Sequence, residues 1–168
     1  RPPSVIYDNN KDYLIFLYRS NYKSIEELST KELRLAGLRI NPKTNIGSRI
    51  TYYNNIKLKD FNDSKADPKE IVGMPKNPKI SNLSWSPNEK MIAFTNTTDL
   101  GVELWILNLK SNSANKVFNL KLNSNIGNVI NWFADSNSLL VKVIPKDKMD
   151  LIESTNVVPS GPTISSNF

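Results

Sequence analysis

Two residue types are missing from this chain altogether, cysteine and histidine. Without cysteine there is no disulfide framework, no thiolate-bound iron–sulfur cluster and no thiol nucleophile. Without histidine there is no imidazole to take the proton of a nucleophilic serine and return it to a leaving group. The commonest zinc and iron sites also lose their usual ligands. Catalysis by carboxylates alone would need two converging Asp or Glu side chains, and no pair stands out. The chain by itself therefore reads as having no catalytic residue, no metal site and no cofactor. Long apolar runs are also missing: nothing approaches the ~18 consecutive apolar residues of a membrane helix. No charged segment followed by an apolar stretch marks a signal peptide. The first residue is Arg1 rather than Met, which reads as a processed or truncated start.

What is present is a 168-residue chain, 39% apolar and 23% charged, suited to a soluble fold. The net charge of +6 raises the question of nucleic acid. A nucleic-acid face would cluster Lys and Arg among stacking aromatics. Here the lysines are scattered through asparagine-rich turns, so no nucleic-acid partner is expected.

Three segments share one layout. Tyr7, Trp85 and Trp132 are each followed by a polar turn, and an apolar anchor (Phe16, Phe94, Val141) comes nine positions later. An aromatic that ends one strand, turn-forming Pro, Asn, Asp and Lys, and a second apolar strand make a hairpin. Trp85 and Trp132 lie 47 residues apart, the length of a four-stranded propeller blade. Tyr7 and Trp85 lie 78 apart, so the first repeat carries an insertion. The fold class expected is all-β, a partial β-propeller of antiparallel four-stranded blades with a short helical insertion in the first. The first blade would span 1–79 with the insertion at 24–45, the second 80–125, and the start of a third with its following loop 126–168. Strands of the second blade are expected at 80–86, 91–96, 102–109 and 114–118. In the first blade, strands after the insertion are expected at 49–57 and 69–73. Residues 102–107 are apolar on both faces apart from Glu103, as in a sheet packed between two neighbours. Trp85, Trp105 and Trp132 read as packing anchors, not as a cofactor box.

In the insertion, Ser24 with Glu27 and Ser29 with Glu32 have capping-box spacing, which predicts a helix within 24–36. Leu28, Leu33, Leu35 and Leu38 would form its apolar side, and Gly37 would end or bend it. Arg34, Arg39 and Arg49 fall near Glu26, Glu27 and Glu32. They read either as surface ion pairs of small individual worth, or as substrate-binding groups. In the second case one guanidinium would face a cavity and accept an acidic substrate through its planar fork.

The Leu-Arg-Leu-Ala-Gly-Leu-Arg-Ile-Asn-Pro stretch of 33–42 is the most distinctive part of the sequence. With the Tyr7-to-Phe16 hairpin, Glu26-Glu27-Leu28, Thr44-Asn45, Ser48-Arg49, Trp85-Ser86-Pro87-Asn88 and Val158-Pro159-Ser160-Gly161-Pro162, it resembles the amino-terminal propeller region of glutamyl endopeptidase-like members of the prolyl oligopeptidase family. The order and approximate spacing match over nearly the whole chain. Asn9 and Lys11 depart from the pattern, standing where such hairpins usually carry proline and glycine. The resemblance implies a serine peptidase whose propeller covers an α/β-hydrolase domain, with Gly-x-Ser-x-Gly, the acid and the histidine all downstream. The partners it implies are a peptide substrate, cleaved after Glu, and the chain's own catalytic domain. Export to a bacterial periplasm or envelope is expected, with a cytoplasmic location as the alternative. The alternative is a non-catalytic propeller that binds a protein partner in an envelope complex or forms an oligomer.

Overall fold

The three hairpins foreseen from spacing share one backbone geometry. In the computed structural model, which describes residues 2–148 apart from the side chain of Phe118, they join β1 (Ser4–Tyr7) to β2 (Tyr13–Tyr18), β8 (Ile80–Trp85) to β9 (Met91–Thr98) and β12 (Ile130–Trp132) to β13 (Leu139–Val141). The amides of Lys11, Glu89 and Ser136 donate to the carbonyls of Asp8, Ser86 and Phe133, at 3.0, 2.8 and 3.1 Å. All three donors hold left-handed φ values, +59°, +57° and +57°. Each turn is tied down by a short polar side chain. The Asp8 carboxylate accepts from the Tyr13 amide at 2.7 Å, the Ser86 hydroxyl from the Met91 amide at 3.0 Å, and Asp135 from the Asn137 and Ser138 amides at 3.0 Å. The motif at 158–162 and the rest of 149–168 lie outside the described residues.

The expectation of an all-β chain built of antiparallel sheets holds. After β2 the chain enters the insertion: α1 (Ile25–Ser29), β3 (Leu33–Leu35), β4 (Leu38–Asn41) and β5 (Ile46–Gly47). It returns as β6 (Asn55–Asp60) and β7 (Lys69–Glu70), completing a first sheet of order β1-β2-β6-β7. The second sheet adds β10 (Gly101–Asn108) and β11 (Ser113–Leu122) in the order β11-β10-β9-β8. The strands β12 and β13 form a two-stranded third sheet.

Side-chain alternation sorts these strands into two cores. Ile15, Leu17, Ile56 and Leu58 of the first sheet meet Ile92, Phe94 and Leu107 of the second. Ala93, Val102 and Leu104, on the second sheet's other face, pack with Leu122, Val129 and Ile130. The second sheet is thus covered on both faces, which accounts for the apolar run 102–107 lacking strict alternation. Trp85 and Trp105 pack partly buried against the first core and Trp132 against the second, as anchors. The Trp132 indole also donates to the Ser84 carbonyl at 3.1 Å, tying the third sheet to β8.

Several boundaries differ from expectation, each for a local reason. The strand expected at 49–57 begins at Asn55; before it, Tyr53 alone bridges to Ile80 of the second sheet, N to O at 2.8 Å. The strand expected at 69–73 stops at Glu70. Val72 has changed partners, donating to Asn112 and accepting from Ala114 at the start of β11. Gly73 makes that crossing possible: at φ +78° a Cβ there would lie 2.5 Å from the Ala114 carbonyl oxygen.

The short helix expected within 24–36 forms at Ile25–Ser29, and from Leu33 the chain turns into a β-hairpin. The first capping box forms, with the Glu27 amide on Ser24 Oγ at 3.1 Å and Glu27 reaching back to the Ser24 amide. The second does not: Thr30 is already extended, and Ser29 Oγ turns back to the Glu26 carbonyl. Ala36 and Gly37 both take positive φ, +44° and +85°, the requirement of a two-residue hairpin turn. Gly37 therefore turns a hairpin instead of ending a helix. The expected apolar helix side dissolves with it. Leu33 is buried, Leu35 and Leu38 are exposed on the hairpin, and Leu28 projects into solvent. Ile40 and Ile46 do the burying instead, and Ile46 reaches the second core.

Because antiparallel strands alternate direction, all the connections at one end of the sheets belong together. The insertion, the 99–100 turn and the 123–129 connection share that end. The tight hairpins share the other, where they are linked in series. The Asn9 amide donates to Glu89 at 2.7 Å, and the Asn88 amide to Ser136 Oγ at 3.0 Å. Among the described residues no helix is long and apolar enough to cross a membrane.

Candidate functional site

The insertion hairpin brings Arg34, Arg39 and Arg49 onto one carboxylate. Arg34 on β3 and Arg39 on β4 are direct cross-strand partners, flanking the Ala36–Gly37 turn symmetrically. Like charges placed this way repel, and Glu32, just before β3, supplies the counter-charge. Its Oε1 accepts from Arg39 Nη1 at 2.6 Å and Arg34 Nε at 3.2 Å. Its Oε2 accepts from Ser48 Oγ at 2.8 Å and lies 3.8 Å from Arg49 Nε. The Ser48 hydroxyl and the Arg39 guanidinium, in that order, hold the Glu32 carboxyl down at about 2.

Three guanidinium groups on one carboxylate leave two positive charges uncompensated within the cluster. The Arg34 and Arg49 side chains are 71% and 69% exposed. Their remaining N–H donors face solvent, where a second carboxylate could be accepted in bidentate fashion. The geometry satisfies the ion-pair reading and leaves donors available for an acidic ligand.

Beside this cluster, Ser48 lines a cavity of about 450 Å³ between the insertion and the second sheet. Glu26 and Glu27 of α1, Tyr52, Lys79 and Thr97 also line it, and Lys79 Nζ lies 3.9 Å from Glu27. Burial pushes the Tyr52 hydroxyl's pKa up. Among the described residues no group of three or more His, Cys, Asp or Glu side chains could hold a metal ion.

The sequence sets the three arginines near Glu26, Glu27 and Glu32 without singling out Glu32 as their hub. Glu32 reads there both as a capping-box residue and as one of three possible ion-pair partners, and in that reading Ser48 has no role in the cluster. The usable signal was Ala36-Gly37, a two-residue turn that sets Arg34 opposite Arg39.

No family model matches this sequence. It is similar to two curated plant proteins, each called "Probable glutamyl endopeptidase, chloroplastic". The one from Oryza sativa subsp. japonica is 30% identical over 176 residues, and the one from Arabidopsis thaliana 29% over 175. Each alignment takes in 98% of this chain, which spans only 18% of the length of these relatives.

Proposed function

We propose that this chain is the amino-terminal propeller segment of a serine peptidase of the prolyl oligopeptidase family, glutamyl endopeptidase-like. In this reading it gates substrate and takes no part in bond cleavage. The observation that carries it is the similarity of 98% of this chain to an 18% stretch of each plant protein, which takes in both four-stranded sheets, the insertion and the third hairpin. The repeated hairpin geometry supports reading the sheets as successive blades. A closed propeller takes ~4–8 blades, so the remaining blades and the α/β-hydrolase domain would follow in the parent, which would be exported.

The parent would admit short peptides, exclude folded proteins and cut after Glu, with the arginine cluster facing incoming acidic side chains. The downstream sequence is the first test. Gly-x-Ser-x-Gly followed by Asp and His is expected, and its absence would leave a non-catalytic binding propeller. In the full-length protein, peptide hydrolysis should be abolished by a serine-directed organophosphate. Arg34→Ala, Arg39→Ala and Arg49→Ala, made singly, should weaken preference for acidic over neutral peptides in at least one variant. Unchanged preference in all three would reduce the cluster to an ion pair.

A further inference from the structure

A second positively charged feature lies at the same end of the sheets, lined in part by the insertion's own β4–β5 turn and by none of the three arginines. A cleft of about 630 Å³ opens where the β4–β5 turn, the start of β10, the end of β11 and the segment after β13 meet. Four lysines line it: Lys43, Lys121, Lys146 and Lys148. No carboxylate does; Asp99 and Asp147, the nearest acids in sequence, are not part of its lining. Lys148 Nζ is aimed by a hydrogen bond to the Asn45 side chain. Lys43, Lys121 and Lys146 have no acidic partner among the described residues.

Besides the lysines, the lining combines the amides of Asn45 and Asn119 with an aliphatic part. Leu100, Leu120 and Val143 contribute side chains that are 76%, 40% and 46% exposed. Apolar groups this open beside unpaired cations carry two costs at once, solvated hydrocarbon and mutual repulsion among the lysines. One kind of occupant relieves both, an extended chain with carboxylates toward the lysines and aliphatic side chains toward the leucines. A nucleic acid would satisfy the charges, but no aromatic lines the cleft for a base to stack on.

We propose that this cleft is a docking site for an acidic peptide segment bearing aliphatic side chains. It is separate from the arginine cluster, and it does not depend on the parent being a peptidase, because docking here requires no turnover.

The test is equilibrium binding of a fluorescein-labelled peptide of alternating Asp and Leu to the full-length protein, read by anisotropy. Saturable binding is expected, weakening as salt rises. The double variant Lys43→Glu/Lys121→Glu should bind at least about tenfold more weakly. Replacing every Asp of the peptide by Asn, or every Leu by Gly, should each weaken binding by a similar factor. If circular dichroism shows that the charge-reversed protein does not fold, Lys43→Gln/Lys121→Gln decides by the same criterion. Wild-type affinity in a folded lysine variant overturns the proposal. So does an Asp/Gly peptide binding as tightly, which would make the cleft a bare anion patch. A single-stranded oligonucleotide of equal charge binding as tightly would overturn it in favour of a polyanion site.

Discussion

Replacing Lys11 by glycine should stabilise the first hairpin, and its two structural equivalents show why the sign is not trivial. Lys11, Glu89 and Ser136 occupy the same left-handed position in three copies of one turn. A non-glycine residue there costs ~1–2 kcal/mol of backbone strain, and glycine returns about 0.5–1 kcal/mol through greater freedom in the unfolded chain. The net relief is about 0.5–1 kcal/mol wherever the side chain does nothing else. Lys11 meets that condition: the bond that defines the turn, from its amide to Asp8, survives the substitution. Glu89 does not, because its carboxylate accepts from both the amide and the side chain of Asn9. Charge-assisted bonds are worth about 1.5–3 kcal/mol each at most, less in this exposed position, so Glu89→Gly should be net destabilising. Ser136 accepts one neutral bond from Asn88 at 3.0 Å, and its replacement should come out near zero. Native-state hydrogen exchange of the full-length protein, resolved by peptide, reads each hairpin separately. Lys11→Gly should slow exchange in β1 and β2 about two- to fivefold. Glu89→Gly should speed it at the first two hairpins, and Ser136→Gly should change little. Faster exchange in Lys11→Gly, or protection in Glu89→Gly, would refute the idea that one strained turn is shared by all three.

Gly73→Ala combines a forbidden φ of +78° with a Cβ 2.5 Å from the Ala114 carbonyl oxygen, so it should cost more than ~2 kcal/mol, read as a lowered urea midpoint and faster exchange at the start of β11. Ile46→Ala removes the side chain that anchors the insertion in the second core and should cost about 2–5 kcal/mol, with exchange rising in β3 to β5 before the sheets themselves. Glu32 has its carboxyl held at about 2 against an ordinary 4.5. Its contribution is therefore complete above pH ~4.5 and is lost as pH falls toward 2. Insertion amides should lose protection over that window in the wild type. In Glu32→Gln they should be less protected at neutral pH and show no such acid step, and an identical acid step in both would show that Glu32 does not hold the insertion.

The parts of the fold legible in the sequence were those written as short-range repetition. Nine residues from aromatic to apolar anchor is a hairpin-length signal, and it located β1–β2, β8–β9 and β12–β13 because turn chemistry at Asp8, Ser86 and Asp135 is local. The both-faces burial of 102–107 was legible for the same reason, being a violation of alternation inside one strand. What could not be read was any boundary set by a distant partner. β7 ends where Val72 leaves the first sheet for Asn112 and Ala114, some 40 positions on, and nothing at 69–73 announces that. Residues 49–54 look extended, yet all they contribute to the sheets is the Tyr53 bridge to Ile80 and the Asn54 amide's bond to the Tyr18 carbonyl.

The insertion shows how two legitimate local signals can compete. Ser29 and Glu32 have helix-start spacing, while Leu33-Arg34-Leu35 followed by Ala36-Gly37 has hairpin spacing, and the same residues cannot obey both. The hairpin wins because it buries Leu33 and Ile40 on one face and lets Ile46 reach the second core. A helix continued through 36 would have kept Leu28 and Leu33 on different turns and left Arg34 and Arg39 without a cross-strand relation. Once the hairpin is chosen, the site follows from it. Arg34 and Arg39 are forced opposite one another, their repulsion requires a carboxylate within reach, and Glu32 is released from capping to provide it. Its acidity is then set largely by Ser48, a residue sixteen positions away whose amide pairs with the Arg39 carbonyl at 2.9 Å. The candidate site is thus a consequence of a secondary-structure decision, and an error over that decision leaves Glu32 as one of three acids near the arginines instead of their hub.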